Sequence, residues 1–175
     1  MNNPNSVIKL VENAIDEKYL EHINNSLYQL SYKIHNSTPG SYPYFFASSP
    51  FEFENERMVW NHKNDLFDYR NLSECLFRKL GIENDVETVE RGYTNCHPYN
   101  VSGNWHQDTP NGKTIIFYPQ TWKKEWKGST LFKGEDSVEY IKNRVILFDG
   151  SKLHMADTHK NHDMRFTIAF KIKVK

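Results

Sequence analysis

The chain has 175 residues, of which 38% are hydrophobic and 25% charged. This is the profile of one folded domain with its own core, and it excludes a disordered chain. Lys+Arg and Asp+Glu both number 22, so no basic footprint marks a dedicated nucleic-acid binder. Two cysteines are too few for a disulfide framework, no apolar run approaches the roughly 20 residues of a membrane span, and nothing resembles a signal peptide.

A soluble protein of a reducing cytoplasm (the host's, for a viral chain) is therefore expected, with a Cys75–Cys96 bridge disfavoured. In chain order, Val7–Val11 reads as a short strand. Asp16 can cap a helix whose Tyr19, Ile23, Leu27 and Leu30 share a face. Ser37 to Pro50, with Gly40, three prolines and several serines, reads as a loop. A second helix is predicted through Leu66, Tyr69, Leu76 and Leu80, stopped by Gly81. Short β-like runs then follow at Val86–Tyr93, Thr114–Tyr118, Ser129–Phe132, Val145–Asp149, Leu153–Ala156 and Arg165–Val174. The basic trio Lys123, Lys124 and Lys127 falls between them and reads as a solvated loop. Helices first and strands afterwards predict a mostly β, α+β domain: an antiparallel barrel or sandwich with N-terminal helices on one side. Helical support is expected mainly over 1–85 and the β core mainly over 86–175, within a single domain.

The last run, RFTIAFKIKV, divides cleanly by face. Phe166, Ile168, Phe170, Ile172 and Val174 point one way; Arg165, Thr167, Ala169 and Lys171 point the other. The first set can pack on helices. The second opens with a cation and a hydroxyl two residues apart, which suits a wet surface or the wall of a polar pocket.

The stretch GNWHQDTP holds the other candidate chemistry. His106 and Asp108 are two apart, so in extended chain they project the same way and can grip one metal ion. A third ligand must come from His154, His159 or His162. His154 is preferred, because it follows the turn Asp149–Lys152 at a strand start, whereas the other two lie in the polar connection Thr158–Asp163, where a histidine is usually solvated. Two histidines and a carboxylate are the set of non-haem Fe(II) oxygenases, and zinc accepts them too. Arg165 breaks the tie. An oxygenase needs an electron-rich co-substrate such as 2-oxoglutarate, whose far carboxylate a guanidinium matches with two parallel hydrogen bonds. Thr167 can add a hydroxyl donor on the same face.

The order His-x-Asp, His, Arg-x-Thr resembles the Fe(II)/2-oxoglutarate-dependent dioxygenases, above all the prolyl 4-hydroxylase-like branch with its small bacterial and phage members. The likeness runs from about Glu90 to Phe170, through ERGYTNCHPYNVSGNWHQD, TIIFYPQTWKKEWKGSTLF and NRVILFDGSKLHMAD. It implies a double-stranded β-helix (jelly-roll, cupin-like) barrel with the site in its mouth. It also implies His106, Asp108 and His154 as iron ligands and Arg165 as the 2-oxoglutarate anchor. Tyr99 and Tyr118 match positions where relatives place phenols near the co-substrate, and Trp122 and Trp126 match family positions that pack. The chain departs from the pattern at Lys127-Gly128-Ser129-Thr130, where the family often has Gly-Gly-Glu-Thr. It departs again at Asn100, which follows the tyrosine where glycine is usual, and at Arg165, where many prolyl hydroxylases have lysine.

The activity implied is hydroxylation of a C–H bond with O2, releasing succinate and CO2, on a prolyl residue of a peptide or protein. A small-molecule substrate is the alternative. Repair of alkylated nucleic acid uses the same ligands, and Lys171 stands where that family carries a second arginine, but the neutral charge and the lysine argue against it. A zinc hydrolase would not need Arg165, and a non-catalytic barrel would not need converging ligands. The aromatic- and proline-rich Ser37–Phe53 is read as a lid over the barrel mouth or a connector packed on the core.

Overall fold

The structure, a computed structural model, describes residues 7–30, 33–35, 44–48, 51–54, 57–60 and 68–175. Two helices supply one layer. Helix α1 (Glu17–Leu27) starts at Asp16, whose side chain accepts the Tyr19 N–H at 2.9 Å. Helix α2 (Tyr69–Leu80) is capped by Asp68 and closed by Gly81, where a φ of 64° is the left-handed conformation that lets its N–H reach back to Arg78. Both expected helices are thus present, although Leu66 lies outside the described residues. Their apolar faces, Leu20, Ile23 and Leu27 with Leu72, Leu76 and Leu80, are fully buried. No helix among the described residues is long and apolar enough to cross a membrane.

Eleven strands follow in the described chain: β1 (Val7–Val11), β2 (Lys33–His35), β3 (Tyr44–Ser48), β4 (Phe51–Glu54), β5 (Arg57–Trp60), β6 (Val86–His97), β7 (Lys113–Tyr118), β8 (Thr130–Phe132), β9 (Arg144–Asp149), β10 (His154–Ala156) and β11 (Arg165–Val174). Seven form one antiparallel sheet in the order β1-β9-β7-β11-β6-β3-β2; β8 pairs with β10, and β4 with β5. Single bridges from His106 to His154 and from Thr130 to Val138 extend the small β10-β8 sheet on both sides.

The alternation read in β11 decides the layering. Phe166, Ile168, Phe170 and Ile172 enter the core shared with both helices. Ala169 belongs to a second core with Tyr93, Ile116, Tyr118, Phe132, Tyr140, Ile146 and Phe148, on the sheet's opposite face. Phe132 of the small sheet meets Phe148 of the large one edge to face, with centroids 5.0 Å apart. The two sheets therefore face each other, with helices behind the larger.

Two expectations need correction. The stretch Ser37–Pro50 is not wholly loop, because Tyr44–Ser48 forms β3 and pairs with β6 from Phe45↔Cys96 to Ser48↔Tyr93. Its Tyr-Phe-Phe core favours strand, and the breakers Gly40, Pro43 and Pro50 lie outside it. Residues 1–85 are likewise more than helical support, since β1, β2 and β3 join the large sheet. The lid reading of Ser37–Phe53 falls partly outside the described residues. Both cysteines are free, and burial raises the Cys96 thiol to about 12.

Candidate metal and co-substrate site

Backbone pairing brings His106 and His154 together. Each donates its N–H to the other's carbonyl at 3.0 Å, so the two are opposite partners with side chains on one side of the small sheet. Asp108 follows two residues on and is held by its own N–H on the Gly150 carbonyl at 2.8 Å. Gly150 makes that approach possible: a Cβ there would lie 2.6 Å from the Thr109 carbonyl oxygen. The Asp149–Lys152 turn thus sets the height of both His154 and Asp108.

His106, Asp108 and His154 each offer one atom, all within 4.8 Å of one another. His106 Nδ1 lies 2.7 Å from the Asn104 carbonyl, and His154 Nδ1 2.9 Å from that of Lys152. A carbonyl only accepts, so in the neutral rings Nδ1 carries the proton and Nε2 is a bare lone pair. Those Nε2 atoms face the Asp108 oxygens at 3.6 and 3.5 Å. Three electron-rich groups thus converge with no proton between them, an arrangement that a cation completes. Burial pulls His154 below its ordinary value, which keeps its lone pair available. Burial would raise Asp108, but His154 and Lys171 beside it outweigh that and hold the carboxyl below the usual range.

Asp108 is clamped from behind. Its side chain is 1% exposed; Lys171 Nζ lies 2.8 Å from Oδ1, and the Thr114 hydroxyl donates to Oδ2 at 2.8 Å. Thr114 and Lys171 are register partners on β7 and β11, so both reach the same carboxylate.

The cavity beside these ligands measures about 60 Å³, several times the roughly 10–15 Å³ that one water needs. Arg165 and Thr167 line it, together with Asn95 and His97, their register partners on β6. Arg165 is 1% exposed. Its Nε donates to the Gly128 carbonyl at 2.8 Å and its head lies 5.3 Å from the Tyr140 ring, but Nη1 is buried with no hydrogen-bond partner. No ion pair joins it to a carboxylate of the described residues, and burial pulls its pKa down. A buried guanidinium with an idle donor, on a residue that lines a cavity, is the complement of an anion.

The remaining candidates separate. Tyr118 is fully buried, with its hydroxyl 2.7 Å from the cavity-lining Thr130 hydroxyl. Tyr99 is 49% exposed and stacks on His162, away from the cavity lining. Trp122 and Trp126 pack edge to face, as expected. The expectation of solvated loop histidines holds for His162 but not for His159, which is wholly buried against Trp122 with Nε2 on the His97 carbonyl. A loop that folds back over a core leaves no periodic trace, so sequence reasoning missed this burial. It also missed Thr114, His97 and Asn95 as site residues: Thr114 lay within the run read as Thr114–Tyr118, but the run read as Val86–Tyr93 continues as β6 to His97, and Asn95 and His97 fall in that extension.

No protein-family model and no curated protein matches the chain. Solved structures do. A 2OG-Fe(II) oxygenase family oxidoreductase from Burkholderia pseudomallei is 12% identical, with a TM-score of 0.69 over 94% of this chain and 82% of that one. A prolyl hydroxylase from Trichoplax adhaerens, solved with a peptide fragment of hypoxia inducible factor, is 14% identical, with a TM-score of 0.68 over 98% and 84%. HygX from Streptomyces hygroscopicus, solved with nickel and 2-oxoglutarate, is 11% identical, with a TM-score of 0.67 over 94% and 81%. The chain therefore has the fold of the 2-oxoglutarate- and Fe(II)-dependent oxygenases, which include prolyl hydroxylases.

Proposed function

We propose that the chain is an Fe(II)- and 2-oxoglutarate-dependent dioxygenase that hydroxylates a prolyl residue of a peptide or protein. The observation that carries the reading is one cavity that joins three converging metal-type donors to a buried guanidinium with an idle Nη1. The reading takes 1–175 as one oxygenase domain and the two facing sheets as a double-stranded β-helix. A reducing cytoplasm suits both Fe(II) and the free thiols Cys75 and Cys96.

His106, Asp108 and His154 would hold the metal; Fe(II), with O2 and 2-oxoglutarate, supplies the oxidising power for a C–H bond as the co-substrate becomes succinate and CO2. The chain's residues supply placement. The Nδ1–carbonyl bonds of His106 and His154 fix both rings. Arg165 would receive the far carboxylate of 2-oxoglutarate, with Thr167 beside it on the cavity wall. Tyr118 would support that end through Thr130. Ile116 and Ala169 line the cavity with apolar surface that excludes water from the reacting centre. The prolyl substrate is taken from the likeness to prolyl hydroxylases, one of them solved with a peptide. A small-molecule substrate is the second reading, favoured by the likeness to HygX, which has also been solved with hygromycin B.

The test is anaerobic titration of metal-free protein with Fe(II) and 2-oxoglutarate, followed by succinate release in air with prolyl peptides. We expect a visible charge-transfer band that requires both additions, and succinate that tracks a one-oxygen mass gain on the peptide. Asp108→Ala should abolish the band. A band that persists in Asp108→Ala or His154→Ala would refute the ligand assignment.

A further inference from the structure

We propose that Gly128 is a positioning residue for Arg165, and that the turn holding it sets the protein's selectivity for a 2-oxo acid with a second, distant carboxylate. The inference rests on the oxygenase reading above and deepens it.

The Arg165 Nε donates to the Gly128 carbonyl at 2.8 Å. A guanidinium is planar and rigid, so a bond at Nε fixes the direction of its Nη N–H groups as well. Nη1 is buried with no hydrogen-bond partner, on a residue that lines the cavity. The Gly128 carbonyl therefore decides where that idle donor points. A carbonyl also orients a cation without cancelling its charge, which a carboxylate in the same place would do. The charge stays available for a ligand.

The contact leaves no room for a side chain. A Cβ on Gly128 would lie 3.2 Å from both Cδ and Nε of Arg165 and 3.1 Å from Cβ of His159, inside the roughly 3.5–4.0 Å of an ordinary contact. His159 is fixed: it is wholly buried, its Nε2 donates to the His97 carbonyl at 2.9 Å, and its own carbonyl accepts the Asn100 N–H at 3.0 Å. The arginine is then the side that gives way. Gly128 also sits at a φ of 81°, which glycine adopts without steric cost.

The turn is tied down on both sides of Gly128. The Gly128 N–H donates to the Thr158 carbonyl at 3.1 Å, and the Lys160 N–H to the Trp126 carbonyl at 2.8 Å. Trp122 Nε1 donates to the Lys127 carbonyl at 2.6 Å. Lys127 itself takes a φ of 56°, uncommon for a residue with a side chain. These bonds hold one carbonyl against one guanidinium.

The test uses the whole protein, anaerobic, with Fe(II). 2-Oxoglutarate and 2-oxopentanoate, which has the same carbon chain without the far carboxylate, are titrated separately. The charge-transfer band reports the binding of each. We expect the wild-type protein to prefer 2-oxoglutarate by at least roughly tenfold, as a charge-assisted hydrogen bond allows. In Gly128→Ala the preference should fall to about threefold or less, through weaker binding of 2-oxoglutarate alone. Trp122→Phe frees the Lys127 carbonyl but leaves Gly128 in place. It should lower the preference by less, and it carries the test if Gly128→Ala does not fold. A merely structural role would weaken both acids alike, and that result overturns the proposal. A preference that survives in folded Gly128→Ala, or in Trp122→Phe where the alanine variant is unfolded, overturns it alone. No band with either acid in the wild-type protein overturns the oxygenase reading as well. A band with both acids and no preference overturns the Arg165 anchor together with this proposal and leaves the metal ligands standing.

Discussion

Two cations stand six positions apart on one face of β11, and the protein treats them differently. Lys171, partly exposed, is paired with Asp108 at 2.8 Å and stabilises the metal-free fold. Arg165, 1% exposed, has no carboxylate partner among the described residues and an idle Nη1, so its burial costs stability that only a ligand can return. A cation that holds the fold together has its counter-charge built in. A cation kept for a ligand does not.

The largest expected effect breaks the Arg165 end. Arg165→Met should weaken 2-oxoglutarate binding by about 10- to 150-fold, the equivalent of one charge-assisted hydrogen bond. The same change should leave the Tm of the ligand-free protein equal or higher, because an unpaired buried charge gives way to an apolar side chain of similar length. Binding of 2-oxoglutarate by calorimetry and Tm by thermal melt check the two halves. A large loss of Tm with unchanged affinity would make Arg165 a structural residue.

The Lys171 end should respond in the opposite sense. Lys171→Met leaves the Asp108 carboxylate, 1% exposed, with Thr114 as its remaining close donor. Breaking a fully buried pair costs about 3–5 kcal/mol; the partial exposure of Lys171 and the surviving Thr114 bond reduce this to about 1–2 kcal/mol. For a chain of this length that is a fall of roughly 2–8 °C in Tm, read without metal or co-substrate. Divalent metal should narrow the gap, because it supplies Asp108 with a new counter-charge.

Acid sharpens the comparison further. Burial pulls His97 well below its ordinary value of 6.5, and burial also lowers His154 and His159. The unfolded chain therefore takes up protons below about 6.5 that the folded chain refuses, so stability falls as pH drops through that value. Asp108, held low when folded, adds a loss at more acid pH, below its ordinary value of 3.8. Metal-free protein melted from pH 7.5 to pH 5 should lose Tm steadily, and His97→Asn should flatten the slope. A pH-independent Tm over that range would contradict the buried neutral histidines.

How far the sequence foretold this site depends on what each residue's position required. His106 with Asp108, and Arg165 with Thr167, needed only the two-residue period of extended chain. His154 needed the turn at Asp149–Lys152, which is local. The clamp on Asp108 needed the pairing of β7 with β11 at Thr114↔Lys171, a register that no single strand encodes. β3 hid among breakers, because its partner is β6, some fifty residues on. The burial of His159 arises where its loop crosses the chain, with Asn100 N–H on the His159 carbonyl at 3.0 Å. Local periods are read from sequence; cross-strand register and loop packing belong to the assembled fold.

The smallest expected effect separates the two tyrosines that the family likeness singles out. Tyr99 is 49% exposed and its ring lies against His162, so Tyr99→Phe removes a hydroxyl from surface and should change Tm by less than the equivalent of about 0.5 kcal/mol. Tyr118 is fully buried, and its hydroxyl is the 2.7 Å partner of Thr130, which lines the cavity between Arg165 and the metal ligands. Tyr118→Phe strands that hydroxyl and should cost about 1–2 kcal/mol of stability, with a severalfold weaker hold on 2-oxoglutarate. Equal behaviour of the two variants in both measurements would mean that the Tyr118–Thr130 bond does not reach the co-substrate. A larger loss of affinity in Tyr99→Phe would mean that its surface loop closes over the cavity when 2-oxoglutarate binds, and the division of the site into an Arg165 end and a Lys171 end would need a third, movable wall.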